Sequence, residues 1–91
     1  MAVARVIETG ATPDEYDKVR ARVDADGKPA GLVIHVGALT DDGKVRVFEL
    51  WETRDHAEEF SKKVMAVRAE LGVGGGGPPP IQYLDVHNVI E

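Results

Sequence analysis

From Gly31 to Trp51 the chain reads GLVIHVGALTDDGKVRVFELW, an apolar run, a polar break and a second apolar run. That pattern predicts strand, tight turn, strand. Side chains alternate across a strand, so Leu32, Ile34, Val36 and Ala38 share one face and Val33, His35 and Gly37 the other. In the second arm Phe48 and Leu50 share a face, and Val45, Val47, Glu49 and Trp51 take the opposite one. Asp41-Asp42-Gly43 fits a three-residue hairpin loop with glycine in the left-handed position. Such a loop sets Thr40 opposite Lys44, His35 opposite Glu49 and Val33 opposite Trp51. The hairpin then has one wholly apolar face and one that mixes large apolar side chains with His35 and Glu49.

The flanking segments follow the same logic. Val3 to Glu8 alternates as a first strand, with Val3, Arg5 and Ile7 on one face and Ala4 and Val6 on the other. Thr12 is placed to cap a helix, with Pro13 at its first position and Glu15 completing a capping box. Tyr16, Val19 and Val23 form its apolar stripe. Asp24 to Ala30 is polar, contains Gly27 and Pro29, and reads as a loop. Thr53 caps a second helix from Arg54 to Glu70, with Ala57, Phe60, Val64, Val67 and Leu71 at amphipathic spacing and Gly72 as its stop. Gly74 to Pro80 is a GGGGPPP connection. Ile81 to Ile90 reads as the last strand, with Leu84 and Val86 in one row and Tyr83, Asp85 and His87 in the other.

The order β-α-β-β-α-β over residues 1–91 predicts a single α+β domain of ferredoxin-like form. It is a four-stranded antiparallel sheet with two helices on one face. The wholly apolar rows are expected beneath the helices: Ala4, Val6, Ile34, Val36, Phe48, Leu50, Leu84 and Val86. The opposite face would expose Ile7, Val33, Val45, Val47 and Trp51, and an apolar patch of that size marks an interface. A second copy of the same sheet, related by a two-fold axis, is its simplest cover, so a homodimer is expected. The GGGGPPP segment would let the last strand reach the partner sheet.

Composition narrows the function classes. The net charge of −5 speaks against nucleic acid or an anionic membrane as the main partner. The chain contains no cysteine, which excludes disulfides, thiolate metal sites and thiol nucleophiles. No apolar run approaches the roughly 20 residues of a membrane helix, and no export signal precedes the first strand. A cytoplasmic protein is expected. Asp24-Ala25-Asp26-Gly27 opens like a calcium loop but lacks the remaining ligands at the required spacing. The glycine run precedes prolines rather than a helix start, so it offers no phosphate cradle.

The stretch VFELWETRDHAEEF resembles the strand-to-helix junction of the dimeric α/β-barrel superfamily, in particular its antibiotic-biosynthesis-monooxygenase-like proteins. GLVIHVGALTDDG and VHNVI are similar to a small actinobacterial branch of it. The resemblance implies a homodimer in which two sheets face each other to form a dimeric α/β barrel with a small cavity in each subunit. It implies an activity drawn from cofactor-free monooxygenases, cyclases or isomerases acting on aromatic or polyketide-like molecules. Trp51 matches the tryptophan that lines the pocket in several oxygenase members. The heme-degrading members use an Asn on the first strand and a His late in the second helix. Arg5 stands at the first position here, and no histidine follows His56 in the helix, so no cofactor is expected.

The polar row holds the candidate chemistry. His35 suits a general base near neutral pH, or a buried histidine held by a neighbour. Glu49 opposite it would orient the imidazole, or form a structural ion pair with Arg5. In the catalytic reading His35, Glu49 and Arg5 act together on the non-helical face of the sheet, Arg5 stabilising a developing enolate. Trp51 would stack on an aromatic ligand. Val33, Tyr83 and His87 complete the expected substrate contacts, although Tyr83 and His87 equally fit interface hydrogen bonding. His56, among charges at a helix start, is expected in solvent. No metal is expected. Three readings stay open: a small enzyme, a non-catalytic ligand-binding dimer and a purely structural dimer.

Overall fold

Capping chemistry starts both helices at the expected residues in the computed structural model, which describes residues 2–73 and 79–90. Thr12 Oγ1 accepts from the Glu15 amide, and the Glu15 carboxylate accepts from the Thr12 amide at 2.9 Å. This capping box opens α1, Pro13–Asp24. Thr53 caps α2, Arg54–Leu71, and Gly72 ends it in the left-handed conformation at φ 67°. No helix among the described residues is long and apolar enough to cross a membrane.

The strands are β1 (Val3–Glu8), β2 (Leu32–Leu39), β3 (Val45–Trp51) and β4 (Ile81–Asp85). They form one antiparallel sheet in the order β2-β3-β1-β4, with β1 and β3 central. This is the ferredoxin-like α+β arrangement. Thr40 N donates to Lys44 O at 2.9 Å, and the register sets His35 opposite Glu49 and Glu49 opposite Arg5. Near the start of β2 the alternation breaks. Leu32, not Val33, pairs with Trp51, because a bulge at Val33 inserts one extra residue. Leu32 therefore turns to the Trp51 side, and Val33 is left half-exposed.

The helices cover the opposite face from the one expected. Val3, Arg5, Ile7, Val45, Val47, Glu49 and Trp51 are buried beneath them. One core cluster joins Val3, Trp51, Val19, Val23, Ala57 and Phe60, and a second joins Ile7, Val45 and Val47. The row proposed for the core lies outside instead: Ile34, Val36, Phe48 and Leu84 are among the exposed large apolar residues, beside Ala4, Val6 and Leu50. The physical reason lies in the polar row. Arg5, Glu49, His35 and Trp51 satisfy one another, so they can be enclosed without an orphaned charge.

The last strand also differs from expectation. It ends at Asp85 and pairs with β1 of its own chain, Val3 opposite Asp85 and Ile7 opposite Ile81. Val86 N still donates to Ala2 O at 3.2 Å, but His87 to Ile90 form no ladder. The edge of β1 takes this strand within the same chain. The connection invoked for a crossing to the partner sheet falls largely on residues 74–78, outside the described residues.

Candidate functional site

Glu49 is the node of the site. It sits mid-strand on β3, between β1 and β2, and is 4 % exposed. Its Oε1 accepts from Arg5 Nε and from Trp51 Nε1, the latter at 2.9 Å. Its Oε2 accepts from His35 Nδ1 at 2.7 Å. Burial raises the pKa of this carboxyl, but the bonds from His35, Arg5 and Trp51 outweigh it and hold the group below the ordinary carboxylate value. An ionised Glu49 assigns the tautomer of His35: Nδ1 carries a hydrogen and donates, leaving Nε2 to accept. The Tyr16 hydroxyl lies 2.5 Å from Nε2. Burial pushes the Tyr16 hydroxyl above its usual value, so it stays protonated and donates to Nε2. A proton relay thus runs Tyr16, His35, Glu49 across α1, β2 and β3.

Tyr16 reaches β2 because Gly37 offers no side chain there. A Cβ at Gly37 would stand 2.9 Å from the Tyr16 hydroxyl oxygen. Arg5, 2 % exposed, donates from Nε to Glu49 and from Nη1 to Ser61 Oγ at 2.6 Å and to the Tyr83 hydroxyl at 3.3 Å. Its guanidinium also lies 5.4 Å from the centre of the Trp51 ring.

Tyr16, His35, Glu49 and Arg5 all face a cavity of about 120 Å³ between the sheet and the helices. Val19, Val47, Phe60 and Val64 supply apolar walls, and Arg20 and Arg68 bring two further cations. The cavity is close in size to one of about 150 Å³ that holds benzene in another protein. Among the described residues no three His, Asp, Glu or Cys side chains converge as a metal site.

The structure therefore brings Arg5, His35 and Glu49 together, but beneath the helices rather than on the free face. Trp51 is wholly buried against Phe60, at 5.3 Å between ring centres, and does not line the cavity. It holds Glu49 rather than stacking on a ligand. Tyr83 does not line the cavity: its hydroxyl accepts from Arg5, its ring packs against the core cluster, and Arg54 stacks on that ring at 4.0 Å. Val33 is carried out of the site by the bulge, and His87 is exposed beyond the end of β4. His56 is half-buried rather than in open solvent, with its Nδ1 2.7 Å from Thr53 Oγ1. Tyr16 and Arg68, both on the cavity wall, are not singled out by the sequence. Tyr16 reads as core on its stripe, and Arg68 follows Ala57 and Val64 on the buried side of α2, where its charge is the detectable anomaly.

No protein-family model matches the chain, and no curated protein sequence matches it. Solved structures do. Rv0793 from Mycobacterium tuberculosis superimposes with a TM-score of 0.66 at 20% identity, over 100% of both chains. A protein from Chloroflexus aurantiacus, assigned by name to the antibiotic biosynthesis monooxygenases, gives 0.69 at 13% identity over 100% of this chain and 98% of that one. SnoaB, a cofactor-independent oxygenase from Streptomyces nogalater, gives 0.60 at 15% identity over 98% and 94%. At these identities the likeness is one of architecture, and the chain has the fold of the antibiotic-biosynthesis-monooxygenase-like structures.

Proposed function

We propose that this chain is a single-domain, cofactor-independent enzyme that draws a proton from an acidic O–H or C–H of a small aromatic ligand. One observation carries the reading: a histidine held by a buried carboxylate presents its free nitrogen, through a tyrosine hydroxyl, to an apolar cavity. Tyr16 takes the ligand proton as it passes its own to His35 Nε2, and Glu49 stabilises the imidazolium that results. Arg5 is a positioning residue, since its guanidinium is the counter-ion that holds the Glu49 carboxylate in place. In oxygenation the ligand carbanion gives its electron pair to O2. The peroxy anion takes the proton back from His35 and loses water, so that a CH2 group and O2 become a carbonyl and water. In isomerisation the proton returns to a different carbon. The fold shared with SnoaB supports the first of these.

The test follows oxygen uptake, and deuterium exchange by NMR, on a panel of hydroxylated one- and two-ring aromatics. Turnover is expected, and His35→Ala should slow it about a hundredfold or more while circular dichroism stays unchanged. Equal rates in wild type and His35→Ala would refute the relay.

A second reading has its own support. Among the described residues every buried side-chain polar atom has a partner, so the network is complete without a ligand. A ligand that binds but is never altered would favour a non-catalytic carrier. In either case the exposed apolar row Ile34, Val36, Phe48 and Leu84 supports a homodimer joined through that face. Covering the exposed half of each such side chain is worth on the order of 1 kcal/mol.

A further inference from the structure

We propose that Arg68 is the anion seat of the cavity and that the ligand is a one-ring aromatic acid, its carboxylate on Arg68. The inference deepens the ligand-cavity reading and rests on it. Arg68 is 7 % exposed, yet it forms no ion pair among the described residues. Among the described residues its side chain makes one hydrogen bond, from Nη2 to the Thr9 carbonyl at 3.3 Å. A guanidinium carries five N–H donors, so most of its capacity is unspent. Its unbonded nitrogens are not sealed in the core, since every fully enclosed polar atom among the described residues has a partner, and Arg68 lines the cavity, where an anion can meet them.

The cavity does not supply that anion itself. Glu49 is the one acidic side chain on its wall, and Arg5, His35 and Trp51 already hold that carboxylate. Arg20, the other cation there, has Asp24 at 2.8 Å. Among the described residues Arg68 is thus the cavity cation without an acidic partner. It meets the chain at Thr9, just past the end of β1, whereas the relay stands at mid-strand beside Arg5. Between the two lie Ile7 and Val47, apolar and buried. A ligand with an anionic end, a flat apolar middle and an ionisable proton at the other end matches that sequence of surfaces. A planar fork is also the group best suited to hold a carboxylate through two parallel bonds.

Isothermal titration with three probes tests this: 4-hydroxybenzoate, the neutral 4-hydroxybenzamide, and acetate. The acid is expected to bind about tenfold or more tightly than the amide, as a charge-assisted pair requires. Acetate, lacking the ring, should bind far more weakly. Arg68→Gln should bring the acid down to the affinity of the amide, and Arg68→Lys should retain part of the preference. In the wild-type protein the acid should also move the Arg68 Nε–H resonance while the amide leaves it in place, so the proposal stands or falls even if Arg68→Gln fails to fold. Equal binding of acid and amide, a preference that survives Arg68→Gln, or no binding of any probe would overturn it. Acetate binding as tightly as 4-hydroxybenzoate would reduce the site to an adventitious anion only and overturn it too. The outcome is separable from that of the relay: His35→Ala should keep the preference for the acid even though it slows turnover about a hundredfold or more.

Discussion

Replacing Glu49 by Gln isolates the charge at the centre of the site while keeping its shape. Gln can place its carbonyl where Oε1 stands, so Arg5 Nε and Trp51 Nε1 keep an acceptor. Its amide then faces His35 Nδ1, and the histidine answers by moving its hydrogen to Nε2, with Tyr16 becoming the acceptor. The hydrogen bonds survive, the relay is reversed, and Arg5 is left as a buried cation without a counter-ion. Breaking one partner of a buried pair costs about 3–5 kcal/mol, a large share of the 5–15 kcal/mol typical of a domain. Removing the orphaned cation as well, in Arg5→Met/Glu49→Gln, should recover part of that loss.

The same reasoning fixes a pH dependence. The Glu49 carboxyl is held below its ordinary value near 4.5, by bonds that outweigh its burial. On acidification the unfolded chain therefore takes up the proton first. The stabilisation is fully present above that ordinary value and is lost as pH falls through the lower, folded one. Urea unfolding at fixed protein concentration, followed by the fluorescence of the single tryptophan, measures both effects. The gap between wild type and Glu49→Gln should be about 3–5 kcal/mol at pH 7 and should narrow in acid. A gap below about 1 kcal/mol at neutral pH, no larger than a surface ion pair gives, would refute the claim that Glu49 balances Arg5. So would a gap that ignores pH.

Two further substitutions probe the scaffold. Gly31 has φ 80°, and a Cβ there would stand 2.4 Å from His56 Cγ. Gly31→Ala should therefore cost at least the roughly 1–2 kcal/mol of a left-handed residue, and an unchanged melting temperature would show that the β2 entry is not held by this contact. Phe48, 42 % exposed on the outer face, should tolerate Asp within one chain but not in a face-to-face pair. Phe48→Asp is expected to shift sedimentation from dimer to monomer, and a dimer that persists would place the interface elsewhere.

What the sequence made legible was local. Thr12 with Glu15, Thr53 with Gly72, and the Asp41-Asp42-Gly43 loop each act within a few residues, so they could be read without knowing the fold. The loop in turn set the register that places His35 beside Glu49. The bulge at Val33 was not legible, since nothing in GLVIHV marks where one extra residue enters the ladder. It cost the assignment of Leu32 and Val33. The Tyr16–His35 contact was hidden for a different reason. It joins residues on two elements, and it depends on which sheet face α1 covers.

That choice of face turns on what each layer can tolerate. Apolarity alone favours the wholly apolar row beneath the helices, but it ignores how the two kinds of cover differ. A second sheet packs flat, at about 10 Å, and a two-fold axis sets each residue near its own copy. A row with Arg5 and Glu49 would then meet like charges in a dry interface, whereas Ile34, Val36, Phe48 and Leu84 would meet only apolar groups. Helices cover a sheet unevenly. The stripes of α1 and α2 carry Val19, Val23, Ala57 and Phe60, and they bring Tyr16, Ser61 and Arg68 to the same side. Ser61 completes Arg5, and Tyr16 completes His35. The helices thus provide polar partners that a facing copy of the sheet would lack, and the space they leave unfilled is where a ligand can reach the relay.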